Sequence, residues 1–462
     1  MVLYLLYNKN EGHDGKLDNK LGYEPVKGLL FKLAVPTVLA QLVNLLYNIV
    51  DRMYVGHIPE TGAMSLAGLG VTFPIIMLVS AFAMLAGMGA SLAAIAMGKG
   101  DNETAEKYLG NSTALLVIFS VILGAVFFAF RDKILMVFGA SENTLPYASD
   151  YIGIYLIGTV FVQIALGLNM FITNQGFSKT SMATICIGAV LNIILDPVFI
   201  YIFGMGVKGA ALATIISQAV SALWVLKFLT GRKTMLKIRL KNMRLNGKIV
   251  GGILSLGISP FIMQATECLI QLTFNNGMLK YGGDMHVALM SVLFSLTQLI
   301  WLPLSGFSQG AQPIISYNYG AKQYDRVKET FLLLFKISIG FSIVVTAAVL
   351  IFPKLFIGMF TNDAELIEIG MNTTRVYIAG MLIMGAQGAC QQTFLALGEA
   401  KISLFLACLR KVILLIPLAL ILPRIGNLGV WGLMLAESVS DVIAASTTAT
   451  MFYFRSKKLL RE

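Results

Sequence analysis

The chain has 462 residues, of which 57% are hydrophobic and only 13% charged, and its mean hydropathy is +0.78. A soluble domain carries about 25% charged residues, so an aqueous globular enzyme is excluded. Disordered, collagenous and coiled-coil classes are excluded too, because apolar residues fill almost the whole chain. The apolar runs are about 20 residues long rather than ten-residue alternating strands, which points to an all-α polytopic membrane protein. The formal net charge of +11 sits mostly in short loops between apolar runs, where it sets membrane orientation rather than nucleic-acid binding. The four cysteines, Cys186, Cys268, Cys390 and Cys408, lie inside apolar runs without CxxC spacing. They read as packing thiols, not as a disulfide framework or a zinc site.

In chain order, residues 1–25 are polar after a short MVLYLLY start and form a tail. That start is too short for a signal-peptide core and lacks a basic flank before it. Twelve helices follow, over 29–55 (α1), 66–95 (α2), 109–130 (α3), 147–172 (α4), 181–203 (α5) and 207–229 (α6). The second set is 249–279 (α7), 287–315 (α8), 330–352 (α9), 367–396 (α10), 401–422 (α11) and 428–454 (α12). This divides the chain into a lobe at 26–229, a basic linker at 230–248, a lobe at 249–454 and a tail at 455–462. One side of the membrane receives Lys9, Lys16, Lys20 and Lys27, the basic linker, and Arg455, Lys457, Lys458 and Arg461. The other receives few cations, so both termini are expected in the cytoplasm of a multi-pass plasma-membrane protein.

The chain repeats itself at an offset of about 222. Gly98 pairs with Gly320, Phe138 with Phe360, Tyr155 with Tyr377, Gly176 with Gly398, Lys179 with Lys401, and Gly204 with Gly426. A constant offset across six landmarks indicates tandem repeats. Each repeat has an even number of helices, so both enter the membrane the same way. Two six-helix bundles related by a pseudo-two-fold axis along the membrane normal follow, a plan common among transporters.

Polar residues inside the spans are the candidate functional groups. On α1, Gln41, Asn44, Asn48 and Asp51 share one helical face, and on α7 so do Gln264, Glu267, Gln271 and Asn275. Such faces point to protein or water, not lipid. Interhelical hydrogen bonding is the plain alternative for the amides. On α5, Asn192 and Asp196 are four apart, and Pro197 removes a backbone donor beside the carboxylate. That combination suits a hard cation such as sodium. Thr214 lies on α6. From the helical rise, Asp51, Asp196 and Thr214 all fall roughly 6–10 Å below the outer surface. An interfacial pair with the adjacent Arg52 is the plain alternative for Asp51. In the second repeat, Arg410 on α11 is expected to pair with Asp441 or Glu437 on α12, as a bundle lock or a gating element. Lys411 points elsewhere on α11 and has no assigned partner. Pro36 on α1 and Pro260 on α7 are candidate bending points.

LYNIVDRMYVGHI, GKGDNETAEKYLGN, LNIILDPVFIYIFGMGVKGAALAT and QGAQPIISYNYGAKQ resemble the multidrug and toxic compound extrusion (MATE) transporters. The resemblance spans roughly residues 25–450. It implies a twelve-helix antiporter that exports amphipathic, often cationic organic compounds in exchange for sodium or protons. It implies no cofactor and no resident metal beyond a possible sodium ion. It assigns the coupling-ion site to Asp51, Asn192, Asp196 and Thr214. Some members use a second acid pair, on α7 and α10. Glu267 resembles the first of these, but the MLIMGAQGACQQTFLALG stretch of α10 has no acid, and Gln387 and Gln391 are its polar residues. The cavity set is then Gln41, Asn44, Asn48, Gln264, Glu267, Gln271, Gln387 and Gln391. The partners are small organic molecules and membrane lipid, with no nucleic acid, and the protein is expected to be a monomer. The rival readings are a lipid-linked saccharide flippase and a membrane-embedded enzyme. The flippase needs a cationic cavity that these acidic and neutral stripes lack. The enzyme lacks HExxH, GxSxG and DDxxD motifs in the spans.

Overall fold

The computed structural model describes residues 20–361 and 363–459. Most of the predicted N-terminal tail, with Lys9, Lys16 and His13, and the last three residues, with Arg461, lie outside the described residues. Twelve helical spans appear, and no strand is present among the described residues. In the first half they are α1 at Val26–Gly56, α2 at Gly62–Gly98, α3 at Asn102–Val137, α4 as Leu145–Ile157 plus Thr159–Asn174, α5 at Ser178–Ile202 and α6 at Val207–Thr230. In the second half they are α7 at Gly247–Gly282, α8 at Asp284–Gly320, α9 at Tyr324–Ile351, α10 from Ala364 to Ala396, α11 at Ala400–Asn427 and α12 at Val430–Leu459.

Nine of the spans are long and apolar enough to cross a membrane, or ten when the bent α4 is counted as one. The two that fall short have local reasons. α10 is split by a 3-10 turn at Ala379–Ile383, and α12 carries Glu437 and Asp441 in its buried stretch.

Several expected continuous helices are broken. α4 bends by 59° at its break, where a Cβ on Gly158 would stand 2.3 Å from Ile215 of α6. The missing side chain lets α4 press against α6 at the corner. α2 is interrupted at Met88. α5 changes to a π-turn at Val198–Ile202 directly after Pro197. α11 does the same at Leu409–Leu415, just before Pro417. In both, proline removes a backbone donor and the ladder re-registers around it. The candidate bending points Pro36 and Pro260 are instead buried inside unbroken helices.

The repeat is visible in the backbone. Gly176 and Gly398 have φ values of +88° and +77°, and Gly204 and Gly426 have +63° and +57°. Equivalent positions thus make equivalent left-handed turns, where glycine carries no steric cost. Lys322 adopts the same turn at φ 59° where its counterpart in the first repeat is Gly100 at φ 78°. Lys322→Gly is expected to stabilise the solubilised protein by about 1 kcal/mol, read as a higher melting temperature.

The two bundles meet along α1 with α8 and α2 with α7. Their closest approaches form reciprocal pairs. A Cβ on Gly98 would lie 1.9 Å from the Tyr317 carbonyl oxygen, and one on Gly320 would lie 2.0 Å from the Ile95 carbonyl oxygen. Adding 222 to one contact yields the other, as a two-fold axis between the lobes requires. Thr37 donates to the Gly306 carbonyl at 2.7 Å, and Gln312 donates to the Ser91 hydroxyl at 2.5 Å. These ties all lie in the half of the helices nearest the start of α1 and the end of α12, so the lobes are sealed at that end. Gly98→Ala or Gly320→Ala is expected to cost about 1–3 kcal/mol by overpacking against helix backbone. Thermal melting of the solubilised protein checks this, and an unchanged melting temperature would contradict it.

The 230–248 segment is not a free tether. Gln175, 2% exposed, accepts from Thr234, Met235 and Leu236 through one oxygen at 2.9, 2.9 and 3.0 Å. Asn111 donates to the Asn242 carbonyl at 3.0 Å and accepts from the Asn246 amide at 2.8 Å. Arg239 pairs with Glu106 at 2.9 Å. Buried amides on α3 and at the end of α4 thus pin the segment to the first bundle.

Candidate functional site

In the first bundle α1, α5 and α6 lie side by side, and four expected residues come together there. Asp51 is 8% exposed, Asn192 2% and Asp196 0%. The Asn192 amide donates to the Asp196 carboxylate at 3.1 Å and to the Thr214 hydroxyl at 3.4 Å. The Asp51 and Asp196 carboxyl groups are within hydrogen-bonding reach of each other. Sequence distance put Asp51, Asp196 and Thr214 at one depth.

Three buried oxygens in this group have no protein partner: Asp51 Oδ1, Asp196 Oδ2 and Asn192 Oδ1. Buried acceptors are normally satisfied. Two carboxyl groups in contact cannot both stay ionised without a proton or cation between them. The group therefore presents acceptors without donors, which is a cradle for a small cation or a shared proton. Arg52 does not fill that role, since its guanidinium lies over the Phe73 ring at 5.6 Å. The interfacial ion-pair alternative for Asp51 is not what the structure contains.

Tyrosines that the sequence reading did not select surround the group. Tyr151 hydrogen-bonds to Thr214, and Tyr47 lies within electrostatic reach of both aspartates. Tyr151 stacks on Tyr155 with centroids 6.4 Å apart. A signal was present, because Tyr155 and Tyr377 are a repeat pair. Tyr377 is likewise 2% exposed and sits near Glu437, Asp441 and Glu267. Tyr377 thus sits directly beside the second acid cluster, whereas Tyr155 packs against Tyr151 and Tyr47, which border the first.

The second bundle holds its acids differently. Arg410 bonds Asp441 at 2.8 Å and Glu437 at 3.4 Å, and its guanidinium lies 5.9 Å from the Trp301 ring centre. It contacts both expected acids rather than one. Lys411, read as unpartnered, is paired with Glu267 of α7 and donates to the Met263 carbonyl at 2.6 Å. Adjacent residues of a helix point about 100° apart, so Arg410 faces α12 while Lys411 faces α7.

The polar stripes divide. Asn48 is exposed and donates to the Asn44 carbonyl at 2.6 Å. Gln41, Asn44, Gln271 and Glu267 are partly exposed. The Gln264 amide lies 2.9 Å from the Met77 sulfur of α2, across the boundary between bundles. These residues keep part of their side chains open to the outside of the bundle cores. Gln387 and Gln391 do not, each being 2% exposed. Gln391 donates to the Ser259 hydroxyl at 3.2 Å and to the Ser403 carbonyl at 3.0 Å. It ties α10 to α7 and α11 inside the bundle. Both glutamines, expected in the cavity set, are packed inside the second bundle.

A family model described as MatE matches residues 36–198 and 260–421, one block in each bundle. The chain belongs to the MatE family. As a member it is a transporter, not an enzyme. The first MatE block contains Asp51, Asn192 and Asp196, and Thr214 lies just beyond it. The chain is 26% identical over 433 residues to the multidrug export protein MepA of Staphylococcus aureus, covering 92% of this chain and 95% of that one. It is 25% identical over 418 residues to MepA of Staphylococcus haemolyticus, covering 90% and 91%. Among solved MatE-type structures, one described as MATE in complex with MaL6 superposes with a TM-score of 0.89 at 23% identity, covering 96% of this chain and 99% of that one. A transporter of the MOP superfamily from Pyrococcus furiosus, described as having a binding pocket of reversed polarity, superposes with a TM-score of 0.89 at 24% identity, covering 97% and 100%.

Proposed function

We propose that the protein is a secondary antiporter of the plasma membrane that exports amphipathic, cationic organic compounds in exchange for sodium ions or protons. The observation that carries this reading is the contact pair Asp51–Asp196, buried in the first bundle with three unpartnered acceptor oxygens and no cation beside it. An ion bound there and cargo bound in the cleft favour different arrangements of the lobes, and only such differential affinity couples two fluxes. The cleft stripes of α1 and α7 supply amides and no unpaired basic side chain among the described residues, which suits cationic cargo. The names of the MepA relatives support multidrug export. The basic loops put the sealed end and both termini on the cytoplasmic side, with lobes at 26–229 and 249–454 joined by 230–248. The chain acts as a monomer without a cofactor. A flippase of lipid-linked saccharides would need free cations in the cleft. Here Arg410 and Lys411 are both bound by carboxylates.

The test is efflux of a fluorescent organic cation from proteoliposomes under a sodium gradient and a pH gradient imposed separately. One of the two gradients is expected to accelerate efflux. Efflux indifferent to both would overturn the antiport reading.

A further inference from the structure

The two bundles are related by the repeat, yet their buried acids have opposite counter-ion arrangements. The first holds two carboxyl groups in contact with no cation against them. The second holds Glu267, Glu437 and Asp441, with Arg410 bound to the last two and Lys411 bound to the first. Glu267 is the carboxylate of this set that faces the cleft. Its side chain is 34% exposed, whereas that of Lys411 is 6% exposed. It stands one turn from Gln264, which reaches across to Met77 of the other lobe. The Lys411 ammonium enters from behind and is anchored twice, by Glu267 and by the Met263 carbonyl at 2.6 Å. A primary ammonium is a compact monovalent charge. It sits between a carboxylate oxygen and a helix carbonyl, the ligand types that a desolvated sodium ion would take.

We infer that Lys411 is a built-in cation that permanently fills the cleft-side acid site of the second bundle, so this chain couples transport through one ion site rather than two. The inference rests on the reading that Asp51 and Asp196 bind the coupling ion, and adds that Glu267 does not. Removing Lys411 leaves a partly buried carboxylate without its counter-ion. Such a group recruits a proton or cation from solution, because an uncompensated charge there is strongly disfavoured.

The experiment compares gradient-driven efflux of a fluorescent organic cation by reconstituted parent, E267Q, K411M and E267Q/K411M proteins, with D196N as reference. Size-exclusion profiles report folding. E267Q is expected to keep the parent's acceleration by the gradient within about fivefold, whatever its absolute efflux rate, because Glu267 also belongs to the cargo cavity. K411M is expected to acquire a second, independent dependence of rate on ion concentration, and E267Q/K411M to lose it again. If K411M does not fold, the double variant still decides, since it removes both charges together and must retain the parent's ion dependence. Loss of ion dependence in E267Q or in the double variant overturns the inference, as does a folded K411M with unchanged ion dependence. D196N that remains coupled defeats instead the reading on which the inference rests.

Discussion

Asp196→Asn protein is expected to insert and fold normally and to lose ion-driven efflux. Asparagine keeps the size of the side chain and an oxygen facing Asn192, whose amide now donates at 3.1 Å. It removes the charge that holds a cation or proton against Asp51. The thermodynamic coupling between two ligands of one protein is commonly about 5–150-fold in affinity, and the variant should forfeit that factor. Its efflux should therefore run at the rate the parent shows without a gradient. Asp51→Asn is expected to behave alike, since the proposed site holds one ion between both acids. The measurement is initial efflux rate from reconstituted vesicles with and without the driving gradient. A variant still accelerated by the gradient would remove Asp196 from the coupling step.

The second large effect belongs to stability. Arg410→Ala should destabilise the solubilised protein by about 3–5 kcal/mol, the usual cost of breaking a buried pair. It strands Asp441, 0% exposed, and Glu437, 6% exposed, inside the second bundle. A buried ion pair is weak evidence for stability as such, and replacing all its members by neutral groups is often harmless. Arg410→Met combined with Asp441→Asn and Glu437→Gln is accordingly expected to recover most of the lost melting temperature. If the triple variant also regains efflux, the cluster is a bundle lock. If it is stable and inactive, the cluster takes part in the movement of the lobes.

Much of this was legible in the chain because membrane helices are written plainly. Long apolar runs, basic loops and the repeat offset define the twelve spans and two bundles. The same regularity put Asp51, Asp196 and Thr214 at one depth. What escaped were departures from regular helices. Pro197 reads in the sequence as loosening α5, but the π-turn before Pro417 does not, and the partner of Lys411 on α7 depends on how the helices pack, which spacing within α11 does not record. Pro36 and Pro260 looked equally disruptive, yet both helices pass through them unbroken. Tertiary packing decides which prolines distort a helix. Gln387 and Gln391 read in the sequence as cavity amides, and only the packing of α10 against α7 and α11 shows them buried. Tyr47 and Tyr151 were passed over because a phenol in an apolar run looks like packing until the carboxylates beside it are seen.

The claim at the centre is that ion and cargo exclude one another through Asp51 and Asp196. It is tested most directly by adding an organic cation to purified protein and recording the ion that leaves. Proton release is followed with a pH dye in weak buffer, and sodium release with protein loaded with radioactive sodium. Cargo is expected to expel one of the two ions from the parent and neither from Asp51→Asn/Asp196→Asn protein. Cargo that binds the parent while releasing nothing, or an equal release from the double variant, would contradict the account.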